Sequence, residues 1–224
     1  SSYKAILFDM DGVLADESRS YRQSIVDTCA YYDAKLTLED VTEYKASGGS
    51  NNDWQATYDL VLKYSTLEKK PTLEEVTVQF EKVYQGSEEA PGLWATETLI
   101  PRFSLLKFLA SKLPLAIVTG RPRGDAERFL KHHAIADFFL AAVCAEDAPH
   151  KPDPAPVQLA LALLQTQLGA DYDLSRVLMI GDTPNDMLAA TRAGIEGMGI
   201  IAPSERANVH MPAALKQAGA TCLL

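Results

Sequence analysis

Cysteine is scarce in this chain of 224 residues: Cys29, Cys144 and Cys222 are its three, far apart and with no C-x-x-C pair. That usage agrees with the cytoplasm or another reducing compartment. No apolar run approaches the roughly 18 residues of a membrane span, and the opening stretch SSYKAILFDMDG reads as a first strand rather than a secretory signal. Clustered basic residues are also missing. With 21 Lys and Arg against 30 Asp and Glu the formal charge is -9, which excludes a nucleic-acid surface, because phosphate-backbone binding needs grouped cations. An anionic small molecule is repelled at long range too, so a site for one needs its own local positive charge. No G-x-G-x-x-G follows a strand, GIEGMG having the wrong spacing, and there is no Walker lysine motif, so dinucleotide and P-loop chemistry are excluded. Repeats and low-complexity tracts are absent as well.

What is present is a chain that is 47% hydrophobic, long enough to bury roughly 70% of its extended surface. Five short apolar runs stand out: AILFD (5–9), PLAIVTG (114–120), FFLAAVC (138–144), VLMIGD (177–182) and GMGIIA (197–202). Helical spacing of Ala and Leu fills 123–132, 155–168 and 184–192 between the later runs. Non-alternating strands separated by helices predict a parallel sheet covered on both faces, an α/β layered domain. The first interval breaks this rhythm. Amphipathic stretches near 17–32, 38–46, 53–64 and 73–85 precede EEAPGLW, expected as a linker, and ETLIPRFSLLKFLAS, expected as a further helix. So long an interval exceeds one crossover. We expect a helical domain over 16–93 inserted into a core made of 1–15 and 94–224, contributing a lid. Helices that merely thicken one side of the sheet are the alternative.

Ligands gather at the carboxyl ends of parallel strands, so the last residues of each run matter. The first run gives Asp9 and Asp11; the second gives Thr119, Gly120 and Arg121; the loop after the third carries Glu146, Asp147 and Lys151; the fourth gives Asp182, with Asp186 in the helix beyond. Residues two apart on an extended chain face one way, and Gly12 permits the turn that follows. Crowded carboxylates either share a proton or hold a cation. With Asp182 arriving from another strand and no His or Cys nearby, the oxygen-only set suits a hard ion such as Mg²⁺. A plain solvated turn also explains DMDG taken alone. Thr183, Pro184 and Asp186 have the composition of a capping box, which gives Asp186 a structural explanation that Asp182 lacks. Thr119 could donate to an anionic oxygen or simply cap the next helix. Lys151, held between prolines, could balance an anion opposite the carboxylates or be one more exposed lysine.

Together these parts suit transfer of a phosphoryl group. One carboxylate attacks phosphorus in line to give an acyl phosphate that water hydrolyses, while the second alternates as acid and base. Asp9 fits the nucleophile and Asp11 the acid/base, though spacing alone allows the labels to be exchanged. In the insert, YKASGGSNNDW (44–54) is the candidate face for the leaving group, with Lys45, Asn51, Asn52 and Trp54 as its readers. A C-cap at Gly48 and Gly49, an N-cap at Ser50 or Asn51 and a core Trp54 explain the segment equally well.

DMDGVLADE (9–17), VTGRP (118–122), KPDP (151–154) and GDTPNDMLAA (181–190) resemble, in order and spacing, the four motifs of the haloacid-dehalogenase-like (HAD) hydrolase superfamily. The resemblance runs from about Lys4 to Ile201, and VTGRPRGDAERFL with EDAPHKPDP is similar to phosphoglycolate-phosphatase-like members with a subfamily I helical cap, a frame that also serves sugar-phosphate phosphatases. It implies a Rossmann-like core, with Asp9 as nucleophile and Mg²⁺ ligand and Asp11 as general acid/base with its carbonyl on the metal. It further implies Thr119, beside Gly120, and Lys151 as phosphate holders, Asp182 as second metal ligand and Asp186 as an outer carboxylate or ligand. The expected activity is a Mg²⁺-dependent phosphomonoesterase for a small phosphorylated metabolite. The same motifs serve sugar-phosphate phosphomutases, and a non-catalytic small-molecule binding protein is a third reading that does not need all five site residues. A monomer and a weak homodimer both remain open.

Overall fold

The computed structural model describes residues 2–47, 49, 50 and 52–224. Its strands, in chain order, are β1 (Ala5–Phe8), β2 (Ala15–Asp16), β3 (Thr98–Leu99), β4 (Leu115–Val118), β5 (Ala141–Val143), β6 (Val177–Gly181), β7 (Glu196–Gly199) and β8 (Ala220–Leu223). Its α-helices are α1 (Tyr21–Tyr31), α2 (Leu38–Ala46), α3 (Asp53–Tyr64), α4 (Leu73–Gln85), α5 (Phe103–Ala110), α6 (Arg123–His132), α7 (Ala155–Leu168), α8 (Pro184–Arg192) and α9 (Met211–Gln217). The chain falls into two compact units, one running up to Asp16 and resuming over Leu99–Leu224, the other comprising Glu17–Thr98. Among the described residues no helix is long and apolar enough to cross a membrane.

The first unit is built on a parallel six-stranded sheet in the order β5-β4-β1-β6-β7-β8. Strand β1 lies inside it, Ile6 opposite Leu115 on one side and Leu178 on the other. Alternation splits β1 between two cores. Ile6 and Phe8 pack with Leu115, Ile117, Leu106 of α5 and Phe129 of α6, while Ala5 and Leu7 pack with Ala116, Val118, Val157 of α7 and Ala189 of α8. Because both faces are covered, β1 reads as an unbroken apolar run, and each fully buried Leu or Ile contributes about 1.5–3 kcal/mol of transfer free energy. This is the α/β Rossmann-like architecture expected from the sequence, with the helical cap inserted after its first strand.

The inserted unit has its own core, in which Ile25, Cys29, Val41, Leu60, Val61, Phe80 and Tyr84 are buried together. Two of its helices start with complete capping boxes, Thr37 with Asp40 and Thr72 with Glu75, each satisfying two otherwise orphaned N–H groups.

Two expectations need correction. The stretch 97–111 is not one helix: Thr98–Leu99 is a strand, and α5 begins only at Phe103, after Pro101, whose ring disfavours helical backbone in the residue before it. N-capping of α3 falls to Asn52, whose side chain accepts from the Gln55 N–H at 3.0 Å, and not to Ser50. Gly48 and Asn51 lie outside the described residues.

Candidate active site

The carboxyl ends of β1, β4 and β6 converge. Asp9 continues β1 by one residue, its N–H donating to the Ile180 carbonyl of β6 at 2.9 Å, and its side chain is buried. The chain then folds back on itself: the Met10 carbonyl accepts from Leu14 and Ala15, both at 2.8 Å, and Gly12 takes φ +71°. Glycine is required at that position for a second reason. A Cβ there would stand 2.2 Å from Oδ2 of Asp182, so the missing side chain is the space that the Asp182 carboxylate uses. Gly181 does the same for the next acid, since its Cβ would stand 2.3 Å from the Asp186 Cβ.

Lys151 ties the cluster together. Its Nζ donates to Asp9 Oδ1 at 2.7 Å and to the Val118 carbonyl at the end of β4 at 3.1 Å, and lies 2.5 Å from Asp186 Oδ1. It is therefore no exposed lysine. Asp186 completes the capping box that its composition suggested, Oδ2 accepting from the Thr183 N–H and hydroxyl at 2.9 and 2.7 Å, while Oδ1 faces Lys151. Thr119, also buried, donates its N–H to the Val143 carbonyl, and its hydroxyl oxygen accepts from the Arg121 N–H at 3.1 Å, leaving the hydroxyl proton available as a donor.

One oxygen each of Asp9, Asp182 and Asp186 lies within 4.8 Å of the others. Lys151 contacts two of these three carboxylates, Asp9 and Asp186, so negative charge is left over in a largely buried cluster. Burial pushes the Asp9 carboxyl up to about 7, with Lys151 opposing and Asp186 and Asp11 adding to the rise. Burial acts to lower the Lys151 ammonium, but Asp186 and Asp9 prevail and hold it above its ordinary value. An all-oxygen set in space cleared by two glycines, with charge left to neutralise, fits a hard divalent cation.

Asp11 points elsewhere. Its Oδ1 accepts from Nε of Arg121 at 2.7 Å and lies 2.5 Å from Nη2, while its carboxylate stays about a third exposed. The sequence offered Arg121 only as a strand-end residue. Its one legible signal was a cation directly after Thr119 and Gly120 on an otherwise acidic chain.

Asp9, Asp11, Thr119, Gly120, Lys151, Asp182 and Asp186 are thus all at one edge of the first unit. The candidate recognition residues belong to the inserted unit, where each of the described ones has an internal partner. Lys45 pairs with Asp53 at 2.5 Å, Asn52 caps α3, and Trp54 packs on the unit's core and donates to Glu81 at 2.8 Å. Asn51 is outside the described residues.

This geometry agrees with the comparisons to known proteins. The family model described as haloacid dehalogenase-like hydrolase matches residues 3–194, and the chain belongs to that family. A protein from Phytophthora nicotianae named imidazoleglycerol-phosphate dehydratase is 41% identical over all of this chain, which spans about half (50%) of that relative's length. A phosphoglycolate phosphatase from Photobacterium profundum is 28% identical over 88% of this chain and 82% of its own. Among solved structures, CbbY from Rhodobacter sphaeroides in complex with phosphate superposes with a TM-score of 0.72 at 22% identity, covering 100% of this chain and 94% of that one, a likeness of fold.

Proposed function

We propose that this hydrolase is a Mg²⁺-dependent phosphomonoesterase acting on a small phosphorylated metabolite through an aspartyl phosphate on Asp9. The observation that carries this is the position of Asp9: a buried carboxylate at the end of an interior strand, with Lys151 on one oxygen and two further carboxylates within 4.8 Å. Asp9, Asp182 and Asp186 would hold the ion, which when bound supplies charge neutralisation and orientation for the phosphoryl oxygens. The chain's own groups do the rest. Lys151 and the Thr119 hydroxyl bind phosphoryl oxygens and stabilise the charge that spreads over them during transfer. The Asp9 carboxylate attacks phosphorus in line with the departing alcohol, and Asp11 gives that alcohol its proton. Water then attacks the acyl phosphate while Asp11 accepts a proton, as reversibility requires of a single well-placed group. The net charge of -9 makes this local positive charge necessary for an anionic substrate.

The relatives name the substrates to try first: phosphoglycolate, and phosphate esters of imidazole-bearing alcohols, because the relative sharing 41% identity is named for a reaction of an imidazoleglycerol phosphate. The experiment is a phosphate-release screen over a metabolite panel, with Mg²⁺ and with chelator, on the natural chain and on Asp9→Asn. Release that needs Mg²⁺ and disappears in Asp9→Asn is expected. An isomerised sugar phosphate without free phosphate would make the chain a mutase instead, and release surviving Asp9→Asn would remove the aspartyl phosphate.

A further inference from the structure

Arg121 is among the most deeply buried charged residues of the chain, its side chain 1% exposed. A guanidinium so enclosed requires compensation, and the chain supplies it from two sides. Its Cζ stands 5.4 Å from the centroid of the Phe129 ring, and Nε and Nη2 both converge on Oδ1 of Asp11. The backbone is fixed as well, with its N–H on the Thr119 hydroxyl and its carbonyl accepting from Ala145 at 2.9 Å. One residue therefore joins a candidate phosphoryl holder to the candidate acid/base. It grips a single oxygen of Asp11; Oδ2 has no hydrogen bond to the described residues.

We propose that Arg121 is a positioning residue that keeps Asp11 aligned as a base, so that the aspartyl phosphate is short-lived. The proposal rests on the phosphomonoesterase reading and deepens it. In the second half of the reaction the alcohol has left and can no longer hold anything in place. A water oxygen attacks phosphorus, the bond from phosphorus to the Asp9 oxygen breaks with its electron pair returning to Asp9, one water proton moves to Asp11, and hydrogen phosphate is formed. Arg121 and Phe129 belong to the core itself, so their hold on Asp11 needs no substrate group. A planar fork is suited to fix direction as well as charge, which a flexible ammonium does less well.

The test uses p-nitrophenyl phosphate with Mg²⁺ as the probe, because nitrophenolate leaves without a proton from Asp11 and formation of the aspartyl phosphate is spared. Natural chain, Arg121→Gln and Arg121→Lys are acid-quenched during turnover, and the phosphorylated fraction at Asp9 is read by mass spectrometry beside phosphate release and KM. Arg121→Gln is expected to raise the trapped fraction about 10-fold or more and slow phosphate release, with KM changed by less than about 3-fold, since misplacing a reacting group costs that much or more. Arg121→Lys is expected to fall between the two. Phosphate release that falls without a rise in trapped aspartyl phosphate would make Arg121 merely structural and overturn the proposal, as would an unchanged trapped fraction in both variants. If Arg121→Gln fails to fold by circular dichroism, Arg121→Lys decides by the same readout. A natural chain that releases no phosphate from any panel compound refutes the phosphomonoesterase, whereas normal release with trapping unaltered in the variants refutes Arg121 alone.

Discussion

Replacing Lys151 by Met removes the single ammonium that lies between Asp9 and Asp186. Both contacts are short, 2.7 and 2.5 Å, and all three side chains are 11% exposed or less. Methionine has nearly the right length but no charge, so two carboxylates would be left facing each other in a water-poor site. Breaking a buried pair in this way costs about 3–5 kcal/mol. For a protein of this size each kcal/mol lowers Tm by about 2–4 °C, so a fall of about 6–20 °C is expected near pH 8 without added metal. The loss should shrink at acid pH. The Asp9 carboxyl, ordinarily at 3.8, already stands at about 7 in the folded protein. A raised value means that the folded state keeps a proton which the unfolded chain has released. The stability this group contributes is therefore present below the ordinary value and lost as pH rises through the folded one. Without Lys151 the folded value climbs further and that loss becomes larger, so the deficit of the variant should be greatest near pH 8 and smallest near pH 5. Thermal unfolding followed by circular dichroism at both pH values, with and without Mg²⁺, measures it. Mg²⁺ is expected to restore more of Tm in the variant than in the natural chain. A variant within about 2 °C of the natural chain at both pH values would refute the account of the cluster as charge held against burial.

Three further outcomes are expected. Gly12→Ala forces a Cβ into the place of the Asp182 carboxylate at a φ of +71°; besides about 1–2 kcal/mol of backbone strain, it should weaken Mg²⁺ binding in calorimetric titration, and unchanged affinity would take Asp182 out of the ion site. Asp11→Asn should slow alkyl phosphates by about 10²–10⁴ and nitrophenyl phosphate less; equal losses for both would count against leaving-group protonation. Burial pushes the thiols of Cys29 and Cys144 up to about 12 and about 11, while Cys222 is exposed, so iodoacetamide should label Cys222 alone in the native protein, and labelling of the other two without denaturant would contradict their burial.

The repetitive part of the fold was legible because local pattern and tertiary environment agree. Helices α6, α7 and α8 have the bounds expected from their apolar spacing, and the interior strands announce themselves by being apolar throughout. Strand β8 was missed for the opposite reason: it is an edge, its Thr221 and Cys222 are exposed, and ATCL carries no alternation to read. In the site, the Asp9 and Asp11 pair, Asp182 and the Thr183 to Asp186 box are local signals. The grip of Lys151 on Asp9 spans 142 residues and that of Arg121 on Asp11 spans 110. Nothing within a short window encodes such distances. They arise only when parallel strands bring their carboxyl ends together, which is why Lys151 read alone was indistinguishable from a surface lysine.

Placing β1 inside the sheet, with neighbours β4 and β6 supplied by residues 115–118 and 177–181, sets a timetable for the nascent polypeptide. At about 5–20 residues per second, the ribosome finishes the second neighbour roughly 10–35 s after the first strand. Until β4 is made AILF has no edge to join, and for the rest of that wait it lacks its second neighbour. The inserted helices, which carry a core of their own, can condense in the meantime, so the earliest-made segment of the catalytic sheet is among the last to find its partners, and it is the stretch a chaperone has most reason to shield.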